Sequence, residues 1–418
     1  MSNHSKNNVR RAAVSALRAW SKGHDYAETL IERHSSRNNL SSQDRNLLNS
    51  ILMAVIRNKS ALDFWISRLR KGKLDDDVRD ILRVGLAQLL LLGIPDHAAV
   101  NETVNCGKSA VRGLLNAVMR NAVNKRKRLF DDLEKESNLA IEFSTPEWLV
   151  KHWTQIFGSE NTEYLLAWNN QPAEVYFRFN PIKPELKEGI LAEENITALE
   201  EVPGYFRIKG KPNNQWLANG AIYIQDPSTQ YSVKLLAPQP GETILDACAA
   251  PGGKAAFMGS MMNNEGRLIC TDGNEKRLNR LKDNLINQGI SIAEVSHWDW
   301  TQEPPQEWHE KFDAILLDVP CSNTGVFRRR VDARWRMRQD AIEQLESTQL
   351  AILQHAALCL APGGRIIYST CSIEPEENEG IIQKFIEQNN FFTLKEEHKT
   401  TPWTDTLDGS YAARLEFK

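Results

Sequence analysis

From Val9 to about Asn124 the apolar positions recur at helical spacing, as in Leu47, Leu48, Ile51, Leu52, Val55 and Ile56, and strand-like runs are few. Helix starts fall at Ser42-Gln-Asp-Arg and at the acidic Asp75-Asp-Asp, where short polar or acidic side chains suit the first turn. The spacing predicts an all-α domain over residues 1–130. A linker follows over 131–146; the basic run Lys125-Arg-Lys-Arg128 just before it reads either as a basic helix end or as a phosphate contact. Residues 147–232 mix the two periods. Strand candidates at 175–179 and 221–225 flank a helix candidate at 184–194, which suggests a small α/β subdomain. After Gly241 strand and helix alternate without pause, with strands at 243–247, 267–272, 292–296, 312–318 and 364–369 and amphipathic helices at 275–288, 340–360 and 376–389. Such alternation predicts a doubly wound, mostly parallel sheet over 233–418, closed by two late strands beginning at Phe391 and Tyr411.

Length and composition narrow the class. A chain of 418 residues exceeds one ordinary core and implies two or three domains. The longest apolar stretch, residues 84–94, is too short to span a bilayer, and the first residues lack the apolar core of a secretory signal. Six cysteines are scattered with no C-x-x-C pair, so neither a disulfide framework nor a zinc site is expected and a reducing cytoplasm fits. Residues 1–130 hold 23 Lys and Arg against 11 Asp and Glu, while the whole chain is at −3. A basic helical domain on an acidic partner points to a polyanion as ligand, the bland reading being a solvated basic surface.

Chemistry concentrates where strands end. Cys321 lies in Asp318-Val-Pro-Cys-Ser-Asn-Thr-Gly325 after the run Ile315-Leu316-Leu317, and Cys371 in Ser369-Thr-Cys-Ser372 after Arg365-Ile-Ile-Tyr368. In an open α/β sheet the crevice beyond the carboxyl ends of the strands collects ligands and catalysis. Two thiols there suggest a nucleophile and a helper, whereas Cys106, Cys270 and Cys359 read as small buried hydrophobes. A third segment, Asp246-Ala-Cys-Ala-Ala-Pro-Gly-Gly-Lys254, joins the first strand of the sheet to a helix, with Gly252 and Gly253 serving the turn of a cofactor loop. The dinucleotide fingerprint G-x-G-x-x-G is absent, which argues against a nicotinamide enzyme. Asp272, at the end of the second strand of this region, is placed to accept bonds from ribose hydroxyls, or else starts the next turn. Asp299, after the third, could meet an adenine amino group or be a plain loop carboxylate. The segment 327–338 carries Arg328, Arg329, Arg330, Arg334, Arg336 and Arg338 around Trp335, a composition suited to phosphates and an unpaired base, or to an ordinary cationic loop.

Two resemblances follow from these motifs. The front segment resembles the NusB-like RNA-binding domain through Asp44-Arg45, the run 81–90, Ile94-Pro95, His97-Ala-Ala-Val-Asn-Glu-Thr-Val104 and Asn116-Ala-Val-Met-Arg120. The segments 246–254, 318–325 and 369–372, with Gln225-Asp-Pro-Ser-Thr-Gln230 and Asp408-Gly-Ser-Tyr-Ala-Ala413, resemble RNA cytosine-5 methyltransferases of the RsmB/Sun type. Val319, Asn323 and Val331 depart from residues common in that family. The resemblance implies a class I methyltransferase sheet and S-adenosylmethionine as cofactor, held by Cys248, Ala249, Ala250, Pro251, Gly252, Gly253, Lys254, Asp272, Asp299 and Asp318. It further implies that Cys371 is the nucleophile, that Asp318 assists at ring nitrogen 3, that Cys321 assists release, and that Lys254 adds positive charge. Arg328, Arg329, Arg330, Arg334 and Trp335 become candidate RNA contacts. A NusB-like front half points to 16S ribosomal RNA among possible substrates. A tRNA or 23S ribosomal RNA enzyme of the same chemistry, and a catalytically silent assembly factor, are the alternatives; no metal, no membrane partner and a monomeric, cytoplasmic protein are expected.

Overall fold

The computed structural model describes residues 8–23 and 25–418 and divides into two units, the first running to Gln171 and including Phe327–Arg336, the second comprising Pro172–Val326 and Met337–Lys418. Among the described residues no helix is long and apolar enough to cross a membrane.

The first unit is helical throughout. Its helices are Val9–Ser21, Ala27–Arg37, Ser42–Arg57, Lys59–Leu69, Asp76–Leu86 with the π-helical turn Ala87–Leu91, Asp96–Cys106, Ser109–Asn124, Arg126–Glu134, Leu139–Glu142, Glu147–Asn170, which is broken at Gly158, and Ala333–Arg336. Side-chain caps start several of them: Asn8 accepts from the N–H groups of Arg10 and Arg11, and Ser41 from that of Asp44. Their apolar stripes meet in one core that includes Leu17, Leu52, Trp65, Leu82 and Met119. The unit extends beyond the expected boundary at residue 130. The supposed linker is two short helices tied to the bundle, with the Trp65 indole donating to the Leu129 carbonyl at 2.9 Å and the Ser144 hydroxyl accepting from the Ala61 N–H at 3.0 Å. The helix from Glu147 likewise belongs here and not to an α/β subdomain.

The inserted segment Phe327–Arg336 is the largest departure from expectation. Arg334 has no solvent exposure; its guanidinium donates to the Asn169 carbonyl at 2.7 Å and the Asn170 side-chain oxygen at 2.9 Å, and faces the Phe143 carbonyl. Arg328 is buried over the Trp168 ring, 3.8 Å from its centroid. The Trp335 indole donates to the Ile56 carbonyl at 2.9 Å and lies under the Lys59 ammonium, while Asp332 accepts from the Ala27 N–H at 2.8 Å. Val331 joins the helical core, and Phe327 lies against Trp153. The RNA-contact reading of Arg328, Arg334 and Trp335 therefore gives way to a structural one: the Arg334 Nη groups and the Trp335 indole are hydrogen-bonded inside the protein, the Arg328 guanidinium stacks on Trp168, and both arginines have lost their surface. Arg329 is half-buried, and Arg330 alone of the five candidates is exposed.

The second unit carries two sheets. β1 (Val175–Phe179), β2 (Ile196–Ala198), β3 (Tyr205–Ile208) and β4 (Ile222–Ile224) form an antiparallel sheet in the order β2-β3-β1-β4. The short strands β2 and β3 lack an apolar run long enough to predict. β5 (Thr243–Asp246), β6 (Arg267–Asp272), β7 (Ala293–His297), β8 (Phe312–Asp318), β9 (Leu360–Thr370), β10 (Phe392–Thr400) and β11 (Ser410–Phe417) form the larger sheet, ordered β10-β11-β9-β8-β5-β6-β7. β5 to β9 pair in parallel, and β11 enters antiparallel between β9 and β10. Strand alternation divides the apolar residues between two faces: Leu245, Ile315 and Leu317 go to one core and Ile244, Ala314 and Leu316 to the other. That two-sided burial is why these strands read as unbroken apolar runs.

Candidate functional site

β5, β6, β7, β8 and β9 end together, and the residues singled out in the sequence sit on those ends or in the turns that follow. Register places Asp318 opposite Ser369 across β8 and β9, and Asp246 opposite Cys270 across β5 and β6. Cys371 comes directly after Thr370, the last residue of β9, and Cys321 three residues after Asp318. The two turns bring the thiols into contact, Sγ to Sγ 3.2 Å, although fifty positions separate them in the chain. Both are half-buried. The Cys321 thiol is pushed well up by its contact with Cys371 and then by burial, so it is held in the protonated form at neutral pH.

Asn323 binds both turns. Its amide donates to the Cys321 carbonyl at 2.8 Å, its oxygen lies 3.3 Å from the Cys371 sulfur, and its backbone is left-handed, with φ +61°. Asparagine is among the few side chains that tolerate that conformation, so the residue that departs from family habit performs a local task. A second close approach fixes the same loop: a Cβ on Gly325 would lie 2.3 Å from the Gly409 carbonyl oxygen, and the Gly325 N–H donates to the Cys371 carbonyl at 3.1 Å. The carboxy-terminal Asp408-Gly409-Ser410 segment is thus a wall of the thiol turn.

Beside the thiols stands an ion pair. Lys254 Nζ lies 2.5 Å from Asp318 Oδ1, which also accepts from the Ser369 hydroxyl at 3.2 Å. Burial alone would lower the Lys254 ammonium, but Asp318, with Cys371 and Asp246 behind it, raises it overall, so this lysine stays charged. Lys254 opens the helix Gly253–Met261. Gly252 before it has φ +105°, and added Cβ atoms at Gly252 and Gly253 would strike Leu281 and the Tyr223 ring. These glycines serve the turn by close packing. Around that turn Cys248 and Ala250 are half-buried, Ala249 buried and Pro251 exposed. Asp272 accepts from the Ala250 N–H at 3.2 Å and the Asn274 N–H at 2.8 Å, which ties the end of β6 to the loop and leaves its carboxylate further lone pairs. Asp299 is exposed and accepts from the Thr301 hydroxyl and N–H, which lower its pKa.

Asp246 is the site residue that motif reading passed over. It is 1 % exposed, neither oxygen accepts a well-formed hydrogen bond, and burial, then the nearby Asp318, pushes its pKa up to about 8 against the pull of Lys254 and the Cys248 N–H. An acid left unpaired at a strand end, where an ordinary core would pair it, fits a site that receives a cationic group, such as the ammonium of a bound amino acid moiety. On this observation the residues present suit S-adenosylmethionine.

Comparison with known proteins agrees. Residues 233–415 match the family model for 16S rRNA methyltransferase RsmB/F, and residues 7–124 that for the NusB family. A probable ribosomal RNA small subunit methyltransferase B of Bacillus subtilis is 32% identical, over 93% of this chain and 90% of its own. Ribosomal RNA small subunit methyltransferase B of Vibrio cholerae is 34% identical, over 98% and 97%. The crystal structure of PH0851 superposes with a TM-score of 0.78 at 25% identity, covering 98% of each chain. A methyltransferase homologue from Pyrococcus horikoshii does so at 0.57, with 25% identity, over 67% of this chain and 98% of that one. At 32–34% identity over nine-tenths or more of both chains, the chain belongs to the ribosomal RNA small subunit methyltransferase B family and is an S-adenosylmethionine-dependent RNA methyltransferase.

Proposed function

We propose that the protein methylates carbon 5 of a cytosine in 16S ribosomal RNA through a covalent adduct on Cys371. The observation that carries this reading is the 3.2 Å contact between two thiols on separate strand-end turns, beside the Lys254–Asp318 pair. Carbon 5 of cytosine is too weak a nucleophile to take a methyl group directly. Addition of the Cys371 thiolate to carbon 6 forms a C–S bond and moves electron density to carbon 5. Asp318, as the acid, donates its proton to ring nitrogen 3 and so takes up the charge that collects there, and Lys254 balances the carboxylate left behind. S-adenosylmethionine would supply the methyl group from its sulfonium and leave as S-adenosylhomocysteine. Asp246, Asp272, Asp299, Asp318 and the turn from Cys248 to Lys254 would hold it. Cys321, in its ionised form, then takes the proton from carbon 5 and the C–S bond breaks, which returns the electron pair to Cys371, gives the nitrogen 3 proton back to Asp318 and restores the aromatic ring. A thiol with a raised pKa is a poor nucleophile at neutral pH but a strong base once ionised, which suits Cys321 to the second step and leaves the first to Cys371.

The 16S target is supported by the relatives' names and by the basic NusB-type front segment. Of the arginine run, Arg330 keeps the exposure that phosphate contact needs. Bisulfite sequencing of total RNA from a deletion strain tests the whole reading: one 5-methylcytosine in 16S ribosomal RNA should vanish and return on complementation. Loss of a mark from tRNA or 23S ribosomal RNA instead would overturn the target, and no loss anywhere would overturn the activity.

A further inference from the structure

The turn that follows Cys371 runs Ser372-Ile-Glu-Pro-Glu-Glu-Asn-Glu379, an acidic stretch that reads as surface. Glu377 within it has no exposure at all. One of its carboxyl oxygens accepts from the Ser322 N–H at 2.9 Å and from the Gln349 amide at 2.9 Å; the other accepts from the hydroxyls of Ser322 and Ser372. Ser322 is the residue directly after Cys321, and Ser372 the residue directly after Cys371. A single buried carboxyl therefore receives hydrogen bonds from the neighbour of each thiol. Its surroundings are equally tied: Gln349 also donates to the Pro320 carbonyl at 2.9 Å, the Glu377 carbonyl accepts from the buried Tyr368 hydroxyl at 2.7 Å, and Asn378 bonds the Thr370 hydroxyl and the Ser372 carbonyl. Thr324 closes the ring, accepting from the Ile373 N–H at 3.1 Å.

We propose that Glu377 is the positioning residue that sets the spacing of the two reactive thiols; this rests on the two-thiol reading above. Neither sulfur touches Glu377, so it acts through Ser322 and Ser372. Burying a carboxyl is costly, and four donors converging on it are the arrangement that makes such burial tolerable while fixing the groups around it. The requirement is geometric. Cys371 must reach carbon 6 while Cys321 reaches the proton on carbon 5, adjacent atoms of one ring, and displacement of either turn by about 1 Å should cost on the order of a hundredfold in rate.

The test uses the full-length protein, in-vitro-transcribed 16S ribosomal RNA and S-adenosylmethionine, with thiol spacing read independently by bridging Cys321 to Cys371 with dibromobimane and mapping the linked peptides. Glu377→Ala should lower both bridging and single-turnover methyl transfer, the latter about a hundredfold, with S-adenosylhomocysteine affinity within about twofold of wild type. Glu377→Gln, whose amide oxygen still accepts from Ser322 and Gln349, should recover most of both. A folded Glu377→Ala with bridging and transfer at wild-type levels overturns the proposal, as does Glu377→Gln no better than Glu377→Ala, since charge rather than geometry would then be required. If Glu377→Ala fails to bind S-adenosylhomocysteine, Ser322→Ala and Ser372→Ala take its place. Each should lose part of the transfer rate and of the bridging, and no loss in either overturns the proposal. The underlying reading fails separately: a fully active Cys371→Ala removes the two-thiol mechanism, whereas a dead Cys371→Ala beside a fully active Glu377→Ala removes only the role of Glu377.

Discussion

The arginine segment Phe327–Arg336 and the strand-end turns around Asp246, Asp318, Cys321 and Cys371 are both polar, and Val326 to Phe327 joins one to the other. They differ in how completely the polar groups are satisfied. Arg334 is a buried cation whose two Nη groups are ringed by carbonyl and amide oxygens, only its Nε being left over. Asp246 is a buried acid with no well-formed hydrogen bond, the Cys248 N–H being its one polar neighbour in the loop, and the thiols find mainly each other and Asn323. Saturated polar groups hold a fold together; groups left unsaturated at a strand end are what a ligand or a reacting atom can still engage.

The sharpest way to break that contrast is to separate chemistry from stability at the thiols. Cys371→Ala should lower methyl transfer by on the order of 10⁴ or more, the scale of removing a nucleophile, with little change in melting temperature. It should give no RNA adduct. Cys321→Ala should still attack and stall, giving a shifted band on a denaturing gel with labelled RNA, where wild type gives a faint one. The opposite assignment of bands would exchange the two roles.

The second prediction runs the other way. Arg334→Ala leaves several buried oxygens unpaired at once and should cost about 3 kcal/mol of stability, seen as a fall of several degrees in the melting transition of the helical unit. Arg330→Ala, at an exposed position, should leave stability unchanged and, if it meets phosphate, flatten the salt dependence of RNA binding by about one unit of slope. An Arg334→Ala protein as stable as wild type would dissolve the distinction. Deleting residues 1–130 is correspondingly a poor assay of RNA contact, because it would strip the core on which Val331 and Trp335 pack.

A smaller effect tests the base assigned to the release step. Because contact with Cys371 and burial raise the Cys321 thiol well above its usual value, only a small fraction is ionised near neutral pH, and that fraction grows about tenfold per pH unit. In the adduct Cys371 is a thioether, and burial, with the nearby Glu377, is left to sustain the shift. Turnover should climb with pH between 7 and 9 at a slope approaching one, and the residual turnover of Cys321→Ala should be flat over that range. A flat wild-type profile would assign the proton to another group.

How much of this was legible follows from the same physics. β5, β6 and β8 could be read because burial on both faces writes an unbroken apolar run, and the strand-end chemistry followed from knowing where such strands stop. The arginine segment misled because charge density along a chain is ordinarily a surface signal. The acceptors that bury Arg334 come from residues 143, 144, 169 and 170, more than 160 positions away, and leave no local trace. Asn323 looked like a mere departure until its left-handed backbone and its bonds to both turns were seen. Glu377 was hidden among acidic neighbours for the reason that hid Arg334.

Asp246 supplies the last test, with the sign opposite to that of turnover. Its folded pKa is raised to about 8 by burial and by Asp318, so between the ordinary carboxyl value and pH 8 the native state keeps a proton that the unfolded chain has released. Folding stability should therefore fall as pH rises through that window, by at most about 1.4 kcal/mol per unit, and level off above it. Asp246→Asn cannot ionise and should lack this component, so its melting temperature should gain on wild type from pH 5 to pH 8. Binding of S-adenosylhomocysteine, which brings an ammonium, should favour the ionised acid and offset part of the slope in wild type, and it should be weaker in Asp246→Asn. Parallel stability profiles for the two proteins, with equal affinity for that ligand, would mean that Asp246 is satisfied after all and belongs with Arg334 among the residues that only hold the fold.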